Sequence, residues 1–263
     1  GNTIGGTNAG DSITTGTNNT TIGKDSGTAI TTGSSNVALG ALALDANQTG
    51  NNCTAIGADA LTTNTASGNT AVGNEALKLN TTGAGNIAVG KNALLSNTTG
   101  NYNISVGQNS LDANTTASNN TAIGHEALTA NTTGAQNDAF GAFALDANTT
   151  ASNNSAFGYG SLSANTTGTG NCAIGNLALN ACTTANYNTA VGGNSLDAST
   201  TGAENTGVGY NALTSVTTSG YNVAMGVNAL RYNTAAYNTA LGHASSMNTA
   251  GGTRNTSVGA NPL

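Results

Sequence analysis

The sequence Asn69-Thr-Ala-Val-Gly73-Asn-Glu-Ala-Leu77-Lys-Leu-Asn80-Thr-Thr-Gly83-Ala-Gly85 is followed at once by another copy of the same pattern, which begins at Asn86. Each copy holds a short apolar stretch before a glycine, a leucine four residues after that glycine, and an Asn-Thr-Thr-Gly turn signal. The pattern returns every 17 residues through most of the 263-residue chain. Because internal repeats decide an architecture before any local signal does, this unit determines the fold.

The glycine of the repeat marks its phase along nearly the whole chain. It stands at Gly5, Gly23, Gly40, Gly57, Gly73, Gly90, Gly107, Gly124, Gly141, Gly158, Gly175, Gly192, Gly209, Gly226, Gly242 and Gly259. Three intervals in this series differ from 17: the interval after Gly5 is 18, and those after Gly57 and Gly226 are 16. We therefore interpret residues 1–263 as a single repeat array with no separate domain. Since both termini fall inside the pattern, we expect a segment of a longer fibre.

Two short strand candidates alternate with two turns in each repeat. Seventeen residues are too few for two helices and a turn, and Asn-Thr-Thr-Gly interrupts any helix. Leucine-rich repeats are longer and carry more leucine per unit. The sequence therefore predicts an all-β protein, a parallel β-solenoid (β-roll) of about sixteen 17-residue coils. At a rise of about 4.8 Å per coil, such a rod would be roughly 75 Å long.

Alternation along the first strand candidate places Thr70 and Val72 on one face and Ala71 on the other. The bulky position before each glycine and the leucine after it are predicted to form two apolar ladders that face each other inside the coils. The first ladder includes Val72, Val89, Val106 and Ile123, and the second includes Leu77, Leu94, Leu111 and Leu128.

Asparagine occupies two positions of the repeat almost as regularly. The first file includes Asn69, Asn86, Asn103, Asn120, Asn137 and Asn154, each four residues before the glycine. A second file runs through Asn80, Asn97 and Asn114 in the turn. Stacked amides can donate to one neighbouring coil and accept from the other, so these files are predicted to be structural ladders that set the register. We interpret the many Asn-x-Thr triplets as a by-product of the repeat.

A small residue stands on the strand face opposite the predicted core ladder. An exposed strand position is expected to vary towards Thr, Lys or Glu, so a constant small residue predicts that another surface packs there. The simplest such surface is a second copy of the chain, and the thin core of one coil also favours association. The predicted subunit interface includes Ala71, Ala88, Ala122, Ala139 and Ala156.

The composition argues against several functional classes. Only 6% of the residues are charged, the net charge is −6, and the five basic residues form no stripe, so a nucleic-acid partner is not expected. No apolar run approaches the length of a membrane span, so membrane insertion is not expected. Disorder is also disfavoured, because apolar residues recur at a fixed phase.

The motifs Asn120-Thr-Ala-Ile-Gly124 and Asn188-Thr-Ala-Val-Gly192 carry a resemblance to known fibre proteins. They resemble the head repeats of trimeric autotransporter adhesins, which carry a similar Ser-Val-Ala-Ile-Gly core in shorter coils. The longer, Asn-Thr-Thr-Gly-containing repeats of phage tail fibres and bacterial surface fibres are still more similar. The resemblance covers nearly the whole chain and implies three parallel β-rolls around a threefold axis, on a virion or a cell surface. This chain departs from the adhesins in its longer coil, and neither an anchor domain nor a fibre tip is visible.

The residues that usually carry catalysis or metal binding are sparse. His125 and His243 lie in different repeats, without a nucleophile or a paired carboxylate at a related position, so neither is predicted to be catalytic. The aspartates that follow the leucine in some repeats are too thinly spaced for a calcium solenoid. Cys53, Cys172 and Cys182 show no zinc-site spacing and are interpreted as incidental thiols. We predict no enzyme activity, no metal and no cofactor.

Two surface features suggest alternatives. Tyr102, Tyr187, Tyr221 and Tyr237 each precede the asparagine that opens a repeat, and are candidate binding residues for a glycan or host receptor, with turn packing as the simpler interpretation. The Thr-Thr pairs, such as Thr81-Thr82, recur once per coil and resemble the threonine files of ice-binding solenoids. Only one threonine of each pair can face solvent, which weakens that alternative.

The leading functional prediction is a structural and adhesive fibre shaft. We expect a homotrimer that projects a receptor-binding tip from a virion or a bacterial cell, and hence an extracellular location. A self-assembling extracellular filament, formed by segments that stack end to end, and an ice-binding solenoid are the alternatives.

Overall fold

A computed structural model describes residues 1–261 as one short strand per coil, with turns between the strands. The chain divides into two compact units, of which the first ends at Ala135 and the second begins at Gln136. The first unit contains β1 (Thr3–Gly5), β2 (Thr20–Ile22), β3 (Val37–Leu39), β4 (Thr54–Ile56), β5 (Thr70–Val72), β6 (Ile87–Val89), β7 (Ile104–Val106) and β8 (Thr121–Ile123). The second contains β9 (Asp138–Phe140), β10 (Ser155–Phe157), β11 (Cys172–Ile174), β12 (Thr189–Val191), β13 (Thr206–Val208), β14 (Val223–Met225), β15 (Thr239–Leu241) and β16 (Thr256–Val258).

Within each unit, consecutive strands pair in parallel and in register. In the pairing of β5 with β6, Ala71 lies opposite Ala88 and Val72 lies opposite Val89. The backbone bonds continue around the turns, where the Leu94 amide donates to the Ser110 carbonyl at 3.0 Å and the Thr98 amide donates to the Thr115 carbonyl at 2.8 Å. Each unit is therefore a parallel β-solenoid, which confirms the predicted fold class.

The first coil differs from the sequence prediction in its phase. The pairing of β1 with β2 puts Gly5 opposite Ile22, so Gly6 and not Gly5 is the repeat glycine of that coil. Gly6 has φ +125°, which matches the left-handed backbone of the later repeat glycines. The interval from Gly6 to Gly23 is 17 residues, and the apparent interval of 18 was an error of assignment.

The second predicted strand of each coil is absent from residues 1–261. The segment around the leucine forms a turn, in which Asn92 and Leu94 both have positive φ, of 57° and 54°. A leucine in the left-handed region is uncommon and is not suggested by its side chain. Stacking of identical turns supplies the inter-coil bonds that hold this backbone.

The interior of each coil is lined by alanine from the strand and by leucine from the opposite turn. Leu77, Leu94, Leu111 and Leu128 are fully buried, as predicted. At Gly207, which replaces the usual alanine, an added Cβ would lie 2.6 Å from the Ser195 Oγ and 3.4 Å from the Leu196 Cδ1. The strand residue and the leucine thus meet across a narrow lumen.

This interior corrects two predictions. Val72, Val89, Val106 and Ile123 are not core residues, because their side chains point away from the lumen and are half-buried or exposed. Ala71, Ala88, Ala122, Ala139 and Ala156 cannot form a subunit interface, because each is fully buried inside its own coil. The alternation correctly grouped the residues by face, but the lumen is too narrow for a β-branched side chain opposite the leucine.

The first asparagine file is a buried ladder, as the sequence predicts. The Asn86 Oδ1 accepts a bond of 2.9 Å from the Asn103 backbone amide, and the Asn86 Nδ2 donates to the Gly100 carbonyl at 2.8 Å. Its main partners are therefore backbone groups of one adjacent coil. The second file forms the amide-to-amide ladder, in which the Asn97 Nδ2 donates to the Asn80 Oδ1 at 2.7 Å. Most buried polar groups of the turns are satisfied in this way, although the Oδ1 of Asn165, which precedes Cys182 in this file, has no hydrogen-bond partner within residues 1–261.

Candidate functional site

The outward residues of the strands form the most distinctive surface of each unit. Each strand directs its first and third residues away from the lumen, and we call these residues the outward strand face. The first file holds mainly threonine, with Ile87 and Ile104 among the exceptions. The third-residue file consists of Ile22, Leu39, Ile56, Val72, Val89, Val106, Ile123, Phe140, Phe157, Ile174, Val191, Val208, Met225, Leu241 and Val258.

Large apolar side chains are unusually accessible on this face. Ile22 is 42% exposed, Ile123 is 37% exposed and Met225 is 44% exposed. Asp138 is the one charged residue among the outward strand residues of 1–261. A long file of exposed aliphatic side chains with almost no charge is typical of an interaction surface and uncommon on a monomer.

Aromatic residues interrupt the aliphatic file in two coils of the second unit. The Phe140 and Phe157 rings are stacked, with centroids 4.7 Å apart and an interplanar angle of 7°. Beside them, Phe143 and Tyr159 meet edge to face at 5.8 Å. All three phenylalanines of the chain are therefore gathered on two adjacent coils.

The four predicted binding tyrosines lie at the corner before the strand. Tyr102 is 68% exposed and its ring lies against Gly85, while the Tyr187 ring lies against Gly170 in the same manner. Tyr221 and Tyr237 stack on each other at 4.9 Å. This arrangement resembles turn packing, because one ring face of each tyrosine is already covered by its neighbour coil.

Charged residues extend the stack that contains Tyr221 and Tyr237. The Arg254 guanidinium lies 5.5 Å from the centroid of the Tyr237 ring. The negative charge of Glu204, together with a hydrogen bond to it, raises the pKa of Tyr221. Among residues 1–261, the Tyr237 ring therefore lies against both Tyr221 and Arg254, whereas the Tyr221 ring stacks on Tyr237 alone.

Most Thr-Thr pairs expose one threonine, as the alternation predicts, but in Thr81-Thr82 and Thr217-Thr218 both threonines are exposed. In the pair Thr98-Thr99, Thr98 is half-buried and its hydroxyl donates to the Thr115 carbonyl at 3.0 Å, whereas Thr99 is exposed. The Thr81 hydroxyl donates to the Thr98 carbonyl at 2.9 Å in the same way. The first threonine thus serves the stacking of coils, and the second threonine is exposed in every pair between residues 81 and 218.

Within the part of the chain that the structure describes, the titratable groups form no catalytic constellation. His125 pairs with the adjacent Glu126 at 3.6 Å. Lys78 lies 2.9 Å from Glu75 and 3.6 Å from Asp59, and its hydrogen bond to Glu75 raises its pKa. Within residues 1–261 there is neither a group of three metal-ligating side chains nor a pocket. The same residues include no helix with the length and hydrophobicity needed to cross a bilayer.

The three cysteines occupy different environments. Cys53 and Cys182 replace asparagines of the two ladders and are fully buried, and burial raises the pKa of Cys182 to about 11. Cys172 is half-buried at the first position of β11, on the outward strand face. None of the three is in a disulfide.

The outward strand face is the surface that sequence reasoning missed. Its signal was present in the sequence, because the face that carries the aliphatic residues otherwise carries mainly threonine and almost no charged residues. That signal was assigned to the interior, since large apolar residues are ordinarily buried.

Comparisons of the chain with protein-family models, with curated proteins and with solved structures give no significant match. Assignment of a function therefore rests on the residues and the geometry described above.

Proposed function

We propose that this chain is a shaft segment of an extracellular fibre, which self-associates through the outward strand face. The observation that carries this proposal is the file of exposed or half-buried Ile, Leu, Val, Phe and Met side chains, one for each coil after the first. The shaft would hold a receptor-binding tip away from a virion or a bacterial surface.

The size of the outward strand face supports a stable association. A stable interface buries about 800 Å² on each partner, so fifteen coils would each need to contribute about 50 Å². Aliphatic side chains that are about 40% exposed have an area of this order. The near absence of charge from the face removes the main desolvation cost.

The regular spacing of the face favours another copy of this chain as the partner. Apolar groups recur along the face at the inter-strand distance of about 4.8 Å. A parallel solenoid with the same coil offers groups at the same spacing, so parallel copies can match every coil in register. An unrelated globular surface would match only a few coils. The resemblance to trimeric adhesin heads and tail fibres gives three as the expected number of copies.

A mechanical role suits the way in which the coils are held together. Each coil binds the next through the strand, the turns and both asparagine ladders, so stabilising contacts accumulate along the stack. A filament that grows by end-to-end stacking would use the same coil-to-coil contacts at its ends. An ice-binding solenoid would instead leave the outward strand face exposed to water.

The test is the solution mass of the chain by light scattering, together with small-angle scattering for its shape. We expect a trimeric mass for the parent chain. The substitutions Val106→Asp and Ile123→Asp, made together, should give monomers, because two carboxylates would replace two apolar contacts of the face. The coil itself should still fold, because the outward strand face already carries a carboxylate at Asp138. Thr99→Asp, on the exposed turn, is the matched control and should leave the mass unchanged.

Other results would contradict the proposal. A monomeric parent chain would exclude self-association through the face, and thermal hysteresis above that of a control protein would then favour ice binding. A polydisperse parent whose mass is unaffected by the two face substitutions would favour end-to-end filaments.

A further inference from the structure

Fourteen Asn-x-Ser/Thr triplets occur in the chain, and the structure separates them into distinct groups. Nine of them begin with a fully buried ladder asparagine: Asn19, Asn47, Asn80, Asn97, Asn103, Asn114, Asn131, Asn148 and Asn165. A tenth begins with Asn255, whose Nδ2 donates to the Asn238 Oδ1 at 3.0 Å. An amide that is buried or engaged in this way cannot act as an acceptor for a transferred group.

The remaining four triplets begin with Asn18, Asn52, Asn119 and Asn153, which share one position of the repeat. Each stands at the corner immediately before the first asparagine ladder, is exposed, and has a φ between 57° and 63°. Their side-chain amides make no hydrogen bond within residues 1–261, and neither do the hydroxyls two residues later, on Thr20, Thr54, Thr121 and Ser155. Both groups of each triplet are therefore free.

The distribution of asparagine at this corner follows the hydroxyl. Ten coils carry Thr or Ser at the first outward strand position, and all four corner asparagines occur among them. In the six coils that carry Val, Ile, Asp or Cys there, the corner residue is Ser, Gly, Tyr or Gln. A left-handed corner alone favours Asn or Gly, but it does not require a hydroxyl two residues later.

We propose that Asn18, Asn52, Asn119 and Asn153 are acceptors for N-linked glycosylation of the folded chain. The Asn-x-Ser/Thr triplet is the acceptor pattern for that modification, which places bulky, hydrophilic groups on exposed turns. In the transfer, the Asn119 Nδ2 forms a bond to C1 of a sugar, and the bond from C1 to a donor diphosphate breaks. The diphosphate leaves with the electron pair of that bond, and the amide loses one proton to a base of the transferase.

Sugars at this corner would add hydrophilic groups to a surface that is poor in charge. The four asparagines belong to the corner, whereas the hydroxyls of their triplets are first residues of strands and lie on the outward strand face.

The experiment uses the folded, full-length chain, a soluble N-glycosyltransferase and a nucleotide-activated hexose, with glycopeptides located by mass spectrometry. We expect a hexose on Asn18, Asn52, Asn119 and Asn153, and none on the nine buried asparagines. The urea-unfolded chain, digested and then treated with the same enzyme, should accept hexose at buried triplets such as Asn97-Thr-Thr99 as well. A second arm uses a lipid-linked oligosaccharide and a membrane transferase. Comparison of the two arms distinguishes a nucleotide-linked sugar donor from a lipid-linked one.

Variants of one triplet separate the hydroxyl from the fold. Thr121→Val should abolish modification of Asn119 without disturbing the coil, because Val37 and Val223 occupy the equivalent position elsewhere. Thr121→Ser should retain it. Modification of Asn119 that persists in Thr121→Val, or a folded chain that accepts no hexose at the four corners while its digest does, would overturn the proposal.

Discussion

Ala122 and Ile123 are neighbours in β8, yet the smaller residue is fully buried and the larger one is 37% exposed. The same inversion recurs along both units after β1, where the inward residue of each strand is Ala, Ser, Gly or Thr and the third residue is aliphatic or aromatic. In an ordinary globular core the larger residue would be inside. Here the width of the lumen decides the inward residue, and the surface receives the side chains that the lumen cannot hold.

The comparison shows that the two faces are under different physical limits. Within one coil, a leucine and an alanine fill the interior, and at Gly207 an added Cβ would lie only 2.6 Å from the Ser195 Oγ. On the outside no such limit applies, and Val, Ile, Leu, Phe and Met all occur at one position. The inward face thus selects size, whereas the outward face selects only hydrophobicity.

The largest effect is expected from exchanging the two faces at one strand. The double substitution Ala122→Ile with Ile123→Ala leaves the composition unchanged but places a β-branched side chain in the lumen. We expect a loss of about 3 kcal/mol in the free energy of unfolding, the upper range for overpacking. Chemical denaturation measures it.

Ile123→Ala alone is the control for that exchange. It removes an exposed side chain, so it should cost less than about 1 kcal/mol in the separated monomer. Equal losses for the single and the double variant would show that the inward face is not limited by size.

An intermediate effect is expected at the corner, where adjacent asparagines point inward and outward. Asn154→Ala removes the acceptor of the Asn171 amide, at 2.9 Å, and the donor to the Gly168 carbonyl, also at 2.9 Å. Leaving these buried groups unpaired should cost about 2 kcal/mol. Asn153→Gly, at an exposed position with φ 63°, should change the stability by less than about 0.5 kcal/mol. Thermal unfolding of both variants tests the difference, and a similar loss in each would argue against the ladder.

The smallest effect on stability near neutral pH is expected from the cysteine thiols, of which Cys182 is buried inside its coil and Cys172 lies on the outward strand face. Burial raises the pKa of Cys182 from 9.0 to about 11, so the folded state retains the neutral thiol while the unfolded state ionises. This contribution is complete below pH 9 and is lost as the pH rises towards 11, at up to about 1.4 kcal/mol for each pH unit. Cys182→Asn, which restores the usual ladder residue, should remove this part of the pH dependence. Cys172→Thr, on the outward strand face, should alter it less, and denaturation curves from pH 8 to pH 11 compare the variants.

The sequence was sufficient to predict the fold class, the repeat length and both asparagine ladders. Periodicity carries that information directly, because equivalent residues of stacked coils must lie side by side. It could not specify which strand face points inward, since alternation is symmetric with respect to the two faces. The positive φ of the leucine turn was also beyond prediction, because leucine has no intrinsic preference for that region.

The candidate surfaces were predicted less well than the fold. Val89 was predicted for the core and Ala88 for the interface, whereas Ala88 is buried and Val89 is exposed. That error follows from treating every large apolar residue as buried. The corner tyrosines were located correctly by their spacing, but stacking of Tyr221 on Tyr237 depends on the distance between coils, which the sequence does not state. Accessibility of Asn119 beside buried Asn120 likewise required the structure.

The two 16-residue coils lose their residue at the same turn. Five positions separate Asn64 from Asn69 and Asn233 from Asn238, where six separate Asn80 from Asn86. The strands on either side keep their register, and the missing residue is bridged by a direct bond between the two asparagines, at 3.0 Å in the first unit and 3.2 Å in the second. This turn is therefore the place where the length of the repeat varies. It is where a foreign peptide could be grafted for multivalent display, at any chosen coil, while the neighbouring coils keep their stacking.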